Sequence, residues 1–163
     1  MYKKILVPLD GSELAECVLP HVESIAKGCG TQNVIFLRVA EPLHWVVGPP
    51  YVPVGVDDST GLSHEDINRF ESENEAAAKS YLEQLAGRVK YDGAVTQSEV
   101  VTGQAAESIT EYATEHEVDL IAIATHGRSG ISRWVWGSVA DRILRSACVP
   151  VLMVRAPGCV PGI

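Results

Sequence analysis

Although 46% of the 163 residues are hydrophobic, no stretch approaches the roughly 18 uninterrupted apolar residues that would mark a bilayer-spanning helix. The same apolar fraction is too high for a disordered chain. Nor does the chain open on a basic segment followed by an apolar core and a small-residue cleavage site. Met1-Tyr2-Lys3-Lys4 runs straight into Ile5-Leu6-Val7, too short and too strand-like for a signal peptide, so the expectation is a cytoplasmic domain with no membrane partner. The four cysteines, Cys17, Cys29, Cys148 and Cys159, include no C-x-x-C pair and no histidine at zinc spacing. They are expected to be reduced and mostly buried, without a metal or redox role.

An overall excess of positive charge is also missing. The formal net charge is −8, which argues against a general nucleic-acid surface. The charge is divided unevenly, however. Residues 120–163 hold Arg128, Arg133, Arg142, Arg145 and Arg155 against the single acid Asp141, a local excess of four positive charges that suits a small anion better than a polymer.

What is present is a regular alternation. Residues 3–9 are β-branched and aliphatic and end in Asp10-Gly11-Ser12, a turn and helix-start signal. Leu14, Cys17, Val18, His21, Val22 and Ile25 then recur every three or four residues, predicting a helix over 12–27. Pro20 lies inside it and predicts a kink or a late start, and Gly28-Cys29-Gly30 ends it. Strands are predicted over 34–40, 94–101, 119–125 and 149–154, and helices over 66–88, 102–116 and 137–147. Near-continuous apolar strands separated by helices imply a parallel sheet covered on both faces, an α/β doubly wound sandwich in one domain over 1–155. Ligands of such sheets bind beyond the C-terminal strand ends, here just after Leu9, Ala40, Val101 and Thr125. The connection over 41–65 holds Pro42, Pro49, Pro50 and Pro53 together with Trp45, Tyr51 and several valines. It is long enough to be a ligand lid, a subunit contact or a cover for its own core. An irregular tail follows over 156–163, broken by Pro157 and Pro161.

The stretch richest in chemical signal runs from Ala124-Thr125-His126-Gly127-Arg128-Ser129-Gly130 to Gly137-Ser138-Val139-Ala140. It leaves a strand through a glycine-rich turn and enters the last predicted helix at Gly137-Ser138. A helix N-terminus presents unpaired N–H groups and partial positive charge, a ready anion site. Glycines allow close backbone approach, Ser138 adds a hydroxyl donor and Arg128 a cation. Ser138 as a plain N-cap and the glycines as turn formers would account for the same residues. Other phosphate-binding patterns are excluded: a P-loop needs a lysine, and none follows Lys90. A dinucleotide fingerprint needs three glycines after the first strand, where only Gly11 stands. A phosphoryl-accepting receiver domain needs acids beside Asp10, an aspartate ending the third strand and a late lysine, all absent.

Over essentially its whole length the sequence resembles the universal stress protein family. Val7-Pro8-Leu9-Asp10-Gly11-Ser12 is similar to that family's opening motif. Gly127, nine intervening residues and Gly137-Ser138 match its nucleotide signature G-x2-G-x9-G-[ST], with Ala124 in place of the leading glycine. The resemblance implies a Rossmann-like fold with a five-stranded parallel sheet in the order 3-2-1-4-5, an ATP site able to take Mg²⁺ through the phosphates, and a homodimer joined along the last strand, Val149-Pro150-Val151-Leu152-Met153-Val154. By position, Asp10 would face ribose and adenine, with Pro8, Leu9 and Val39 at the base and Ile123 and Ala124 bordering the ribose. His126, Gly127, Arg128, Ser129, Gly130, Gly137, Ser138, Val139 and Ala140 complete the site around the phosphates. His126 serves equally well as a residue that holds the turn. Trp134 and Trp136 would fill the dimer interface or pack on the sheet. The expected function is a nucleotide-binding regulatory module with an unknown protein client and at most slow ATP hydrolysis. The alternatives are a true slow ATPase or phosphotransfer enzyme, and a dimeric interaction protein that needs no nucleotide.

Overall fold

The structure, a computed structural model, describes residues 1–42, 64–125 and 138–155. Five strands, β1 (Lys4–Pro8), β2 (Asn33–Ala40), β3 (Val95–Thr102), β4 (Leu120–Thr125) and β5 (Val151–Arg155), form one sheet. Its order is β3-β2-β1-β4-β5, and every neighbouring pair is parallel. The helices are α1 (Leu19–Cys29), α2 (His64–Arg88), α3 (Ala105–Glu115) and α4 (Ser138–Ser146).

Period-two alternation along the central strands divides the core in two. Ile5, Val7, Val34, Phe36, Leu120 and Ala122 point to one face and pack on Val22 and Ala26 of α1 and Leu82 and Leu85 of α2. Leu6, Ile35, Leu37, Ile121 and Ile123 point to the other, against Ala106 and Ile109 of α3 and Ala140 and Ile143 of α4. Both faces are covered, so β1 and β4 carry no polar alternation. Edge strand β3 alternates between exposed and half-buried residues.

The first helix begins late. A short 3-10 turn, Ala15–Val18, precedes it, and α1 starts at Leu19 with Pro20 in its first turn. A proline has no N–H to give, and only the opening turn of a helix leaves that donor unpaired. Helix α1 closes on Gly30, left-handed at φ 62°, whose N–H bonds to the Ala26 carbonyl. The last strand also starts later than its apolar run suggests: Pro150 lies before it, and its carbonyl accepts the N–H of Ile121 at 3.0 Å. At the opposite end of the sheet, Asp119 Oδ2 accepts the backbone N–H groups of Lys3 and Lys4, each at 2.8 Å, and locks the entry of β1 beside β4.

The cysteines differ from expectation. Cys17 and Cys29 are half-buried and Cys148 is exposed, all three free; Cys17 packs at the edge of the α1/α2 core. Burial still raises the Cys17 thiol above its ordinary range. Cys159, the tail over 156–163, Trp134, Trp136 and all but the ends of the 41–65 connection lie outside the described residues. Among the described residues, no helix is long and apolar enough to cross a membrane.

Candidate functional site

Strand order reverses between β2 and β4 around β1, so the crevice of interest opens beyond the C-terminal ends of β1 and β4. Nine of the residues singled out above fall among the described ones. Val39, Ile123, Val139 and Ala140 share the α3/α4 face of the sheet, and alternation from Leu6 puts Pro8 there too. Within this group Val39 and Val139 are half-buried, whereas Ile123 is 7% and Ala140 3% exposed.

Leu9 and Ala124 lie elsewhere. Both side chains belong to the core on the α1/α2 face. Leu9 anchors the end of β1 by giving its N–H to the Leu37 carbonyl at 2.9 Å. The Ala124 methyl, where the resembling motif has glycine, therefore points away from α4 and does not enter the crevice. Single-residue alternation decides this, and a motif match carries no information about it.

Asp10 follows β1 and is exposed at the mouth. Its Oδ1 accepts the Ser12 N–H at 2.9 Å, closing a tight turn. Ser12 Oγ in turn accepts the Ala15 N–H at 3.1 Å and caps the 3-10 turn. Gly11 between them has φ +86°, a left-handed conformation that only glycine adopts without strain.

Two helix N-termini border the same strand ends, and they differ. The first turn of α3 is already served by a carboxylate: Ala105 N–H donates to Glu41 Oε1 at 3.3 Å, from just past the end of β2. Helix α4 begins at the exposed Ser138, with the amides of its first turn free of helical partners. The acid in that turn, Asp141, is held one turn onward by Arg145 Nε at 3.0 Å. Arg142 reaches across to Glu107 of α3 at 3.3 Å. Two of the five C-terminal arginines, Arg142 and Arg145, are thus engaged in ion pairs.

His126, Gly127, Arg128, Ser129, Gly130 and Gly137 lie outside the described residues. Among the described residues, no group of three His, Cys, Asp or Glu is placed to hold a metal ion.

A cluster that the sequence does not announce lies behind the Asp10 turn. Tyr81 of α2 donates its hydroxyl to Glu16 Oε1 at 3.1 Å, and Arg88 pairs with the other Glu16 oxygen. Arg38 of β2 lies over the Tyr81 ring, 5.7 Å from its centroid. The Tyr81 phenol is pushed well above its ordinary range by burial first, then by the charge and hydrogen bond of Glu16 and the charge of Asp10, with Arg38 opposing. Tyr91 is raised by burial and Glu23. These shifts fix a pH dependence. Unfolded tyrosines ionise near pH 10, and the folded ones hold their protons higher. Stability is therefore intact below about pH 10 and falls as the pH rises above it. Urea midpoints measured from pH 7 to 11 should show that fall, and Tyr81→Phe should make it shallower.

The comparisons with known proteins agree with the fold. Residues 1–155 match the sequence profile of the universal stress protein family. The chain belongs to that family. Universal stress protein MJ0531 of Methanocaldococcus jannaschii is 29% identical over 157 residues, spanning 96% of this chain and 84% of the relative. Universal stress protein MJ0577 of the same organism is 29% identical over 156 residues, 95% and 96% of the two chains. A solved structure of MJ0577 superposes with a TM-score of 0.76 at 28% identity, covering 97% of this chain and 99% of that one. Two more distant universal stress proteins share the fold: one solved in complex with cAMP, TM-score 0.66 at 20% identity over 95% and 98% of the chains, and one from Arabidopsis thaliana with AMP bound, TM-score 0.61 at 16% identity over 96% and 93%.

Proposed function

We propose that this universal stress protein binds an adenine nucleotide, ATP in the first instance, in the crevice between Asp10, Val39 and the start of α4. The observation that carries the reading is the difference between the two helix ends. One is closed by Glu41; the other opens at the exposed Ser138, and the acid in its first turn is drawn off by Arg145. In this reading Ser138 Oγ and the amides of Ser138, Val139 and Ala140 receive phosphate oxygens. Val39 and Val139 flank the base, and Asp10 accepts hydrogen bonds from the ribose. Gly127, Arg128, Ser129, Gly130 and Gly137 join the phosphates, and His126 holds the turn or lies at the triphosphate. The donor set fits an anionic, polyhydroxylated ligand. Mg²⁺ would be carried on the phosphate oxygens. Two proteins of this fold were solved with adenine nucleotides, which supports the ligand class.

The magnitudes suffice. Micromolar affinity needs about −8 kcal/mol. Three or four hydrogen bonds to charged oxygens contribute roughly 1.5–3 kcal/mol each, and the helix end about 0.3–1 kcal/mol. Loss of rigid-body freedom costs at least ~4 kcal/mol. No lysine is required.

Hydrolysis is at most slow in this reading, since Asp10 is engaged with the Ser12 amide and no base–orienter pair stands beside it among the described residues. The protein then acts as a nucleotide-sensing regulatory module in the cytoplasm, paired as a homodimer through β5 and passing its state to a protein client. Denaturing freshly purified protein and identifying released nucleotide by chromatography tests the reading: an adenine nucleotide near one per chain is expected. No released nucleotide, together with no ATP binding by calorimetry, leaves the dimeric scaffold as the function.

A further inference from the structure

Two polar residues are buried among the described ones, Thr31 at 3% exposure and Thr125 at 6%. They are not equivalent. Thr31 Oγ1 donates to the Tyr2 carbonyl at 2.7 Å, so its burial is explained within the fold. Among the described residues, no hydrogen bond holds the Thr125 hydroxyl. Every described side-chain oxygen or nitrogen that is wholly enclosed has a partner, so the little surface Thr125 retains includes its hydroxyl. A buried hydroxyl without a partner forfeits its hydrogen bonds to water, and folded proteins leave few such groups. Threonine here gives the fold nothing that valine would not.

Its placement points to a ligand. Strand alternation from Ile121 and Ile123 turns Thr125 to the α3/α4 face, the face of Val39 and Ala140 and opposite to that of Ala124. The pairing of β4 with β1 covers Ile5↔Leu120 and Leu6↔Ile121, whereas that with β5 continues to Thr125↔Arg155. Thr125 is thus the last residue of β4, at the crevice that opens where β4 and β1 part, on the side of the sheet that α4 covers. A hydroxyl can donate or accept. Beside a helix N-terminus, where partial positive charge gathers anions, the group that meets it is an acceptor.

We infer that the Thr125 hydroxyl donates to the nucleotide's phosphate chain and so separates nucleotides from nucleosides. The inference rests on the proposed nucleotide site and adds a residue that neither the glycine spacing nor the start of α4 includes. Binding supplies the acceptor that folding withholds. The same hydroxyl therefore costs stability in the ligand-free protein and adds affinity in the complex.

Thr125→Val keeps the branched shape and removes the hydroxyl, whereas Thr125→Ser keeps the hydroxyl. Both variants are titrated with ATP, AMP and adenosine, the last sharing base and ribose and lacking phosphate. Thr125→Val should weaken ATP and AMP by about tenfold or more, the worth of one hydrogen bond to a charged group, with adenosine within about twofold of wild type. Thr125→Ser should hold ATP within about threefold. Ligand-free Thr125→Val should melt at or above the wild-type temperature. ATP affinity within about twofold of wild type in Thr125→Val overturns the inference. Equal weakening of adenosine also overturns it, since the hydroxyl then serves the ribose. Loss of ATP binding in both variants with lowered melting temperatures shows Thr125 to be a packing residue only. Wild-type protein that binds none of the three ligands removes the nucleotide reading itself, a result distinct from the others.

Discussion

Ser138→Glu should lower ATP affinity by at least about 100-fold while leaving the fold slightly more stable than before. The substitution removes a hydroxyl donor whose hydrogen bond to a charged oxygen contributes roughly 1.5–3 kcal/mol. It also places a carboxylate among the amides that would receive the phosphates, so repulsion adds to the loss. The helix responds in the opposite direction: a negative charge in an exposed first turn stabilises it by about 0.3–1 kcal/mol. Ser138 is exposed, so no packing is disturbed. Binding and stability thus move apart, which separates loss of the site from loss of the fold. Calorimetric titration and a thermal melt on the same sample decide it. Affinity within a few-fold of wild type would mean the phosphates lie elsewhere.

Met153→Pro should convert a dimer into a monomer with little effect on the subunit. The two edges of the sheet differ in kind. Edge strand β3 is polar, with Thr96, Gln97, Ser98 and Glu99 along its length, and charge and polarity of this sort discourage pairing. Strand β5 carries Val151, Leu152 and Met153 half-buried and Val154 buried, an apolar edge suited to a second copy. Ile121 donates to the Pro150 carbonyl, and the register Ile121↔Val151 and Ile123↔Met153 continues that alternation. The backbone N–H groups of Val151 and Met153 are therefore directed to the outer edge. A proline at 153 removes an outward donor without breaking a bond to β4, the position at which edge strands tolerate it. Sedimentation at micromolar concentration should show dimer for wild type and monomer for the variant. A wild-type monomer would contradict pairing through β5.

Most of the architecture is readable in the chain because each element carries its own local signal. The apolar runs at Ile5–Val7 and Ile121–Ile123, interrupted by helical periodicity, are enough for a doubly wound sheet, and the polar alternation of β3 marks an edge. Boundaries moved where one residue's chemistry overrode the pattern. Pro20 delayed α1, and Pro150 delayed β5. The elements that carry the candidate residues were legible, the orientations of their side chains less so. Asp10 follows β1, Val39 lies near the end of β2 and Ser138 starts α4. The side chains of Leu9 and Ala124 turn to the opposite face, a matter of strand parity that no motif encodes. Two members of the arginine excess, Arg142 and Arg145, found Glu107 and Asp141 as neighbours on folding. Two features had no sequence signal. Glu41 caps α3 across 64 positions, and the link from Arg38 through Tyr81 to Glu16 joins three elements far apart in the chain. Contacts of that range appear only when the sheet is assembled.

Backbone amide shifts of isotope-labelled protein during an ATP titration bear most directly on the phosphate assignment. The amides of Ser138, Val139 and Ala140 should move furthest, accompanied by those of the Asp10–Ser12 turn, while Ala105 at the Glu41-capped end of α3 stays in place. Large shifts at Ala105 with α4 unmoved would contradict the account.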